Sequence, residues 1–296
     1  MRSMMAGEVS AFLGQTACIW EATARKAGNV HPAASFADTE YMDFLLGAAI
    51  VRHSLTGLGR FAQTIETVVR ETRELTSNTN LGILLLLAPL ASAYGSGTTP
   101  DDRARLASNV LGKTTILDTC LVYEAIRVAN PGGLGEVPQQ DVREKPTITL
   151  REAMTLAADR DLIARQYANG FADVFDFGVP AFLDGFQQFG CVEAAIVESQ
   201  LRWLTEYPDS LIARKNGAAV AEDVRSRAAE VLRLGGIATP EGRRAGVALD
   251  RHLRSDGNKL NPGTTADLIT ACLFVALREN KVVPSAPFRW QVTDWL

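Results

Sequence analysis

The sequence predicts an all-α protein organised as a single multi-helix domain over residues 1–296. Three observations carry this: apolar residues recur at i, i+3, i+4 and i+7 from end to end, period-2 alternation is scarce, and neither half of the chain has a composition of its own. A hydrophobic content of 47% supplies a core of the size such a domain needs.

Taken in order, the first helix is expected over residues 9–27. In "YMDFLLGAAIVRHSL" the residues Tyr41, Phe44, Leu45, Ala48, Val51 and Leu55 share one face and predict the second. Further helices are expected over residues 60–75, 81–93, 102–111, 115–129, 150–168 and 192–206. The stripe Val220, Val224, Ala228 and Val231 marks another, which Gly235 and Gly236 terminate. The last two cover residues 243–254 and 265–279. Between them, the Pro/Gly-rich segment "NPGGLGEVPQQDVREKPTIT" at residues 130–149 predicts an irregular connection long enough to suggest a functional loop. The echo of "DLIAR" (residues 161–165) in "DSLIAR" (residues 209–214) is too short to establish a repeat.

Composition excludes several functions. A net charge of −4 without a Lys/Arg-rich block argues against a nucleic-acid partner and confines any cationic site to a local patch. Cys18, Cys120, Cys191 and Cys272 are widely spaced in apolar segments, as expected of small buried hydrophobes in a cytoplasmic protein. The most apolar run, residues 81–93, falls short of the roughly 20 residues that cross a bilayer, and the N-terminal residues lack a secretory pattern. Neither membrane insertion nor export is expected.

Familiar catalytic motifs are also missing. "GKTT" (residues 112–115) lacks the preceding P-loop glycine, its position being Ala107, and follows a helix rather than a strand, so a plain interhelical turn is expected. His31, His53 and His252 form no HExxH-type pair, and no GxSxG element occurs.

Four polar clusters at helix ends remain. The first holds Glu21, Lys26, Asn29 and His31, with Asp38 opening the next helix; the second holds Asn78, Thr79 and Asn80. The third offers Asp209, Arg214 and Lys215, and the fourth runs from Asn261 through Gly263, Thr264 and Thr265 to Asp267. Each has a purely structural reading: Ser35 with Asp38, and Thr264 with Asp267, have capping-box spacing, Asn80 suits an N-cap, and Arg214 and Lys215 suit a solvated face. Taken together they suit a polyphosphate nucleotide, with helix N-termini and cations on phosphate and carboxylates holding Mg²⁺.

At these clusters the sequence resembles the triphosphoribosyl-dephospho-CoA synthase family. "KAGNVH" (residues 26–31) matches a motif of the form KPGLVD, and "LTSNTNLG" matches GGVNTHKG. "DSLIARKNG" is similar to DTNVLHRGG, and "NPGTTADLIT" to SPGGSADLLA. The four fall in the same order between residues 26 and 270. The resemblance implies an all-helical transferase that moves the triphosphoribosyl group of ATP to the 2'-hydroxyl of 3'-dephospho-CoA, or of a related cofactor precursor, with release of adenine.

It implies Glu21, Asp38 and Asp209 as catalytic carboxylates and Asp38 with Asp267 as Mg²⁺ ligands. Lys26, Asn29, His31, Asn78, Thr79, Asn80, Arg214, Lys215, Asn261, Gly263, Thr264 and Thr265 are then the substrate-binding positions. His31, Asn80 and Leu81 depart from the Asp, His and Lys of the family's motifs, which places the chain in a divergent branch and leaves the acceptor open. A pterin-type one-carbon cofactor precursor is the alternative acceptor, and a helical ATP-binding protein without turnover the non-enzymatic alternative. Partners are small molecules, and the sequence leaves a homo-oligomer open.

Overall fold

The computed structural model describes residues 6–55, 59–75, 79–94 and 102–296. Among them the chain forms fourteen α-helices and no strand, with two isolated bridges, His31 to Ala34 and Phe36 to Thr39, in the loop after the first helix. The helices are α1 (Ala6–Thr23), α2 (Tyr41–Ser54), α3 (Phe61–Leu75), α4 (Leu81–Tyr94), α5 (Asp102–Arg105), α6 (Ile116–Ala129) and α7 (Leu150–Ala157). They continue as α8 (Leu162–Asn169), α9 (Val179–Phe189), α10 (Val192–Glu206), α11 (Ser210–Asn216), α12 (Ala218–Arg233), α13 (Pro240–Leu253) and α14 (Gly263–Arg278). π-helical turns occupy Leu106–Leu111 and Asp173–Gly178.

Two hydrophobic clusters organise these helices. The larger gathers α1, α3, α4 and α14, and the continuous apolar run from Leu268 to Leu277 in α14, broken only by Thr270, lies wholly within the interior. Such all-round burial explains why α4 and α14 read as apolar runs rather than as stripes. The smaller cluster gathers α12, α13 and the C-terminal Trp290 and Trp295. α10 belongs to both: Ala195, Ile196 and Trp203 face the larger, and Ala194, Val197 and Leu201 the smaller. No described helix is long and apolar enough to cross a membrane.

The structure corrects several boundaries, each for a local reason. The helix expected over residues 150–168 is two helices, because Asp161 turns its carboxylate onto the N–H groups of Ile163 and Ala164 and starts α8 afresh. α9 escaped the periodicity reading behind Gly178 and Pro180, although proline is tolerated in the first turn where it lies. α11 has seven residues, too few for a periodic signal, and is started by Asp209 accepting from Leu211 and Ile212. The short echo is thus two equivalent Asp-capped turns. "GKTT" is an interhelical turn as expected, ending where Thr115 and Asp118 form the capping box of α6.

Neither capping pair expected at the polar clusters forms. α2 begins three residues beyond Asp38, at Tyr41, where the Glu40 N–H donates to Asp43. α14 begins at Gly263 behind Pro262, so Thr264 is already inside the helix and is not its cap.

Candidate active site

The polar clusters converge on the N-terminal turn of α14. Asn261, just before it, accepts from Asn29 Nδ2 at 2.7 Å, tying the loop after α1 to this turn. Asp209, at the head of α11, accepts from both the N–H and the hydroxyl of Thr265 at 2.8 Å. Ser210 donates to Thr264 Oγ1 at 3.1 Å and accepts from the Leu162 N–H at the head of α8. Asp267 lies against Gly82 in the first turn of α4, so closely that a Cβ there would meet its carboxylate. Four helix N-termini, those of α4, α8, α11 and α14, therefore meet around one point.

Most of the predicted residues are consumed in building this junction. Lys26 is fully buried, and its ammonium contacts Glu21 Oε1 at 2.9 Å, the Glu21 carbonyl at 2.5 Å and the Ala24 carbonyl at 3.5 Å. Its three donors are spent on the chain itself. Asp209, also fully buried, accepts four hydrogen bonds, two on each oxygen. Burial raises its pKa while those bonds pull the other way. Asn80 directs its amide to the Gly47 carbonyl and Thr72 rather than capping α4, and Thr79 contacts Asn80 at 3.4 Å. Gly263 packs against Leu211, so the missing Cβ admits a neighbouring side chain. Asn78 lies outside the described residues.

A smaller set retains unused capacity. Asp267 keeps partial contact with solvent and forms no hydrogen bond or ion pair among the described residues. Enclosure of its carboxyl group raises the pKa well above the usual carboxylate range, and Glu21 and Asp209 add to the shift while Arg214 opposes it. Arg214 is paired with Asp161, yet its Nε is buried and meets no acceptor among the described residues. Lys215 is half-buried, contacts the Asn258 carbonyl at 3.4 Å, and has its pKa lowered by burial. His31 is buried, and desolvation together with Arg254, Lys26 and Arg25 depresses its pKa to about 3. Its Nδ1 accepts from the Ala33 N–H at 3.3 Å, which places the proton of the neutral ring on Nε2.

Asp38 lies exposed at the rim, accepting from Asn258 Nδ2 at 2.6 Å, whereas Asp267 lies inside against Gly82. Among the described residues no group of three or more His, Cys, Asp or Glu is arranged to hold a metal ion. One or two carboxylates suffice for Mg²⁺ that arrives on ATP phosphates, so Asp267 could serve such an ion without a larger cluster.

Sequence reasoning missed Asp161, Gln200, Asp250, Arg254 and Asn258. Gln200 of α10 donates to the Ala27 carbonyl and to Asn29 Oδ1, both at 2.8 Å. Asp250 accepts from the Gly28 N–H at 2.8 Å. Only Asp161 left a sequence signal, the echo described above. The expected loop over residues 130–149 reaches the junction too, with Gly133 against the Arg214 backbone and Gly132 beside Lys215. Two cavities, of about 280 Å³ between α9, α10 and α12 and about 430 Å³ between α2 and α3, lie elsewhere, and none of the predicted site residues lines either.

Comparison with known proteins bears on the family of the chain. The model of the ATP:dephospho-CoA triphosphoribosyl transferase family matches residues 8–285. A protein of Pseudomonas syringae pv. syringae, provisionally described as a 2-(5''-triphosphoribosyl)-3'-dephosphocoenzyme-A synthase, is 28% identical over 134 residues, 42% of this chain and 45% of that protein. One of Pseudomonas savastanoi pv. phaseolicola with the same description is 32% identical over 113 residues, 38% of each chain. The matches thus span less than half the length of these two relatives. A crystal structure from Archaeoglobus fulgidus, provisionally assigned to triphosphoribosyl-dephospho-CoA synthase, superposes with a TM-score of 0.61 at 28% identity, over 79% of this chain and 98% of that one. With a family match that runs through all four clusters and a fold shared at that level, the chain belongs to the ATP:dephospho-CoA triphosphoribosyl transferase family.

Proposed function

We propose that the chain transfers the triphosphoribosyl group of ATP to a hydroxyl of 3'-dephospho-CoA, or of a related cofactor precursor, and releases adenine. The observation that carries this reading is the junction itself: Asp267, a carboxylate without a partner among the described residues, held among four helix N-termini in a chain of this family.

In such a transfer the acceptor oxygen bonds to C1' of the ribose as the C1'–N9 bond breaks. The hydroxyl proton passes to a base, and adenine leaves with a proton on its ring. Positive charge develops on the ribose in the transition state, so a carboxylate nearby both stabilises it and can take the proton. Asp267 suits this role, because enclosure has raised its basicity above that of an ordinary carboxylate. Glu21 is held by Lys26, and Asp209, saturated with donors, fixes the head of α11 against α14. The two therefore act as positioning groups. The triphosphate stays intact; Arg214, Lys215 and the helix N-termini offset its charge, together with Mg²⁺ brought as part of the ATP substrate. His31, neutral with its proton on Nε2, is a donor suited to adenine or to the acceptor.

Incubating the protein with ATP, Mg²⁺ and dephospho-CoA and following adenine by chromatography tests the reading. Stoichiometric adenine and a triphosphoribosylated product support it. The departures at His31, Asn80 and Leu81 motivate a parallel incubation with a pterin-type precursor. Adenine release only in that arm reassigns the acceptor, and its absence in both overturns the transferase reading.

A further inference from the structure

Arg254 belongs to none of the motifs that carry the family resemblance, yet it holds the loop after α1 in place. Just past the end of α13, its Nε donates to Asp250 Oδ1 at 2.8 Å, its Nη2 donates to the Asn29 carbonyl, and its guanidinium stacks over the Phe36 ring with 5.4 Å to the centroid. The remaining nitrogen, Nη1, is buried and meets no acceptor among the described residues. A buried donor left unpaired costs more than a hydrogen bond normally contributes, and a guanidinium cannot escape the cost by losing its proton. Arg214 is similar: the Asp161 carboxylate that caps α8 takes its Nη1, and its Nε is buried and meets no acceptor among the described residues. Arg254 perturbs His31, and Arg214 perturbs Asp267, so both act electrostatically on the junction.

We infer that Arg254 is a phosphate-binding residue, which with Arg214 grips the polyphosphate of the nucleotide substrate. The inference deepens the proposed function and rests on it for the identity of that substrate. Planar guanidinium groups with spare N–H donors suit phosphate oxygens, and stacking on Phe36 fixes the plane of the donor before the ligand arrives. Asp250 and the Asn29 carbonyl orient the group, and Nη1 carries the recognition.

The test measures binding by calorimetry of inorganic tripolyphosphate, ATP and adenosine to the full-length protein and to the variants Arg254→Lys, Arg254→Gln and Asp250→Asn. Circular dichroism confirms that each is folded. Expected is a loss of about tenfold or more in tripolyphosphate and ATP affinity for Arg254→Gln and a smaller loss for Arg254→Lys, with adenosine affinity unchanged. Asp250→Asn keeps an oxygen for both the Gly28 N–H and Arg254 Nε, so the guanidinium stays oriented and these affinities are expected to change much less. Equal losses for Asp250→Asn and Arg254→Gln, or losses that extend to adenosine, would mean that Arg254 only braces the loop and would overturn the inference. So would a wild-type protein that binds no tripolyphosphate. Arg254→Lys covers the case in which Arg254→Gln does not fold. Because the readout is binding, a wild-type protein that binds tripolyphosphate through Arg254 yet releases no adenine sinks the transferase reading alone.

Discussion

α14 contains two regions that follow opposite rules. From Leu268 to Leu277 its side chains are apolar apart from Thr270 and close-packed, and the Thr270 hydroxyl is spent on the Ala266 carbonyl. In its first turn the side chains are polar, and their partners divide them into two kinds. Thr264 and Thr265 are locked to Ser210 and Asp209, whereas Asp267, two residues beyond Thr265, has no hydrogen-bond or ion-pair partner among the described residues. The difference teaches how to separate scaffold from chemistry in this cluster: the fully satisfied groups hold the fold, and the enclosed carboxylate with no protein partner among the described residues is the one free to meet a substrate.

The comparison between Asp209 and Asp267 can be broken directly. Asp209→Ala removes the acceptor of four hydrogen bonds and strands their buried donors, so a loss of about 3 kcal/mol is expected in urea or thermal unfolding. Asp267→Asn should do the reverse. Adenine release falls by about 100-fold or more through loss of the base, while stability holds or rises. The sign follows from the raised pKa of Asp267. The group is protonated in both states well below the ordinary Asp pKa, and as pH rises the unfolded chain ionises first, so its contribution to stability is lost as pH climbs through the folded pKa. The advantage of Asp267→Asn over the wild type should therefore grow from acid toward neutral pH in chemical denaturation. A variant as unstable as Asp209→Ala would abolish the distinction.

How much of this was legible in the sequence depends on whether the signal was local. Long helices with periodic faces, such as α2 and α12, and long apolar runs, such as α4 and the body of α14, announce themselves because burial imposes their pattern. α11 and the break before α8 do not, since a single capping aspartate sets each against its neighbours. The four clusters were identified from spacing and resemblance, and their meeting point follows from tertiary contacts such as Asn29 with Asn261 and Asp209 with Thr265. What no local pattern conveys is satisfaction. Lys26 and Asp267 look equally available in the sequence, and only the three acceptors around Lys26 reveal that it is spent.

His31 sharpens the comparison from the cationic side. Its pKa is depressed to about 3 by burial and by neighbouring Arg and Lys charges, so the folded protein keeps the ring neutral while the unfolded chain protonates near pH 6.5. Stability from this group is fully present above that value and is lost as pH falls toward 3, by an amount of order 2 kcal/mol once partial solvent screening is allowed for. His31→Gln, which cannot ionise, should flatten the decline in unfolding free energy between pH 6 and about 4. An unchanged slope would show that His31 is not held neutral by the junction.

The smallest expected effect on stability isolates geometry from charge. At Gly82 an added Cβ would lie 1.9 Å from Asp267 Oδ2, so Gly82→Ala must displace that carboxylate without altering any titratable group. The backbone there is helical, and alanine is the better helix former, which offsets part of the crowding. A net change of about 1 kcal/mol or less in stability is expected. Adenine release should nevertheless drop by about tenfold or more, because a displacement of roughly 1 Å in a reacting group is costly to the rate even when binding survives. Gly263→Ala is the matching control for the saturated half of the turn: its Cβ meets the end of the flexible Leu211 side chain at 2.6 Å, which can yield. If both substitutions lower adenine release equally, the placement of Asp267 against α4 has no special part in the reaction. If Gly82→Ala alone does so, the carboxylate without a partner is the group whose position the four helix ends are built to fix.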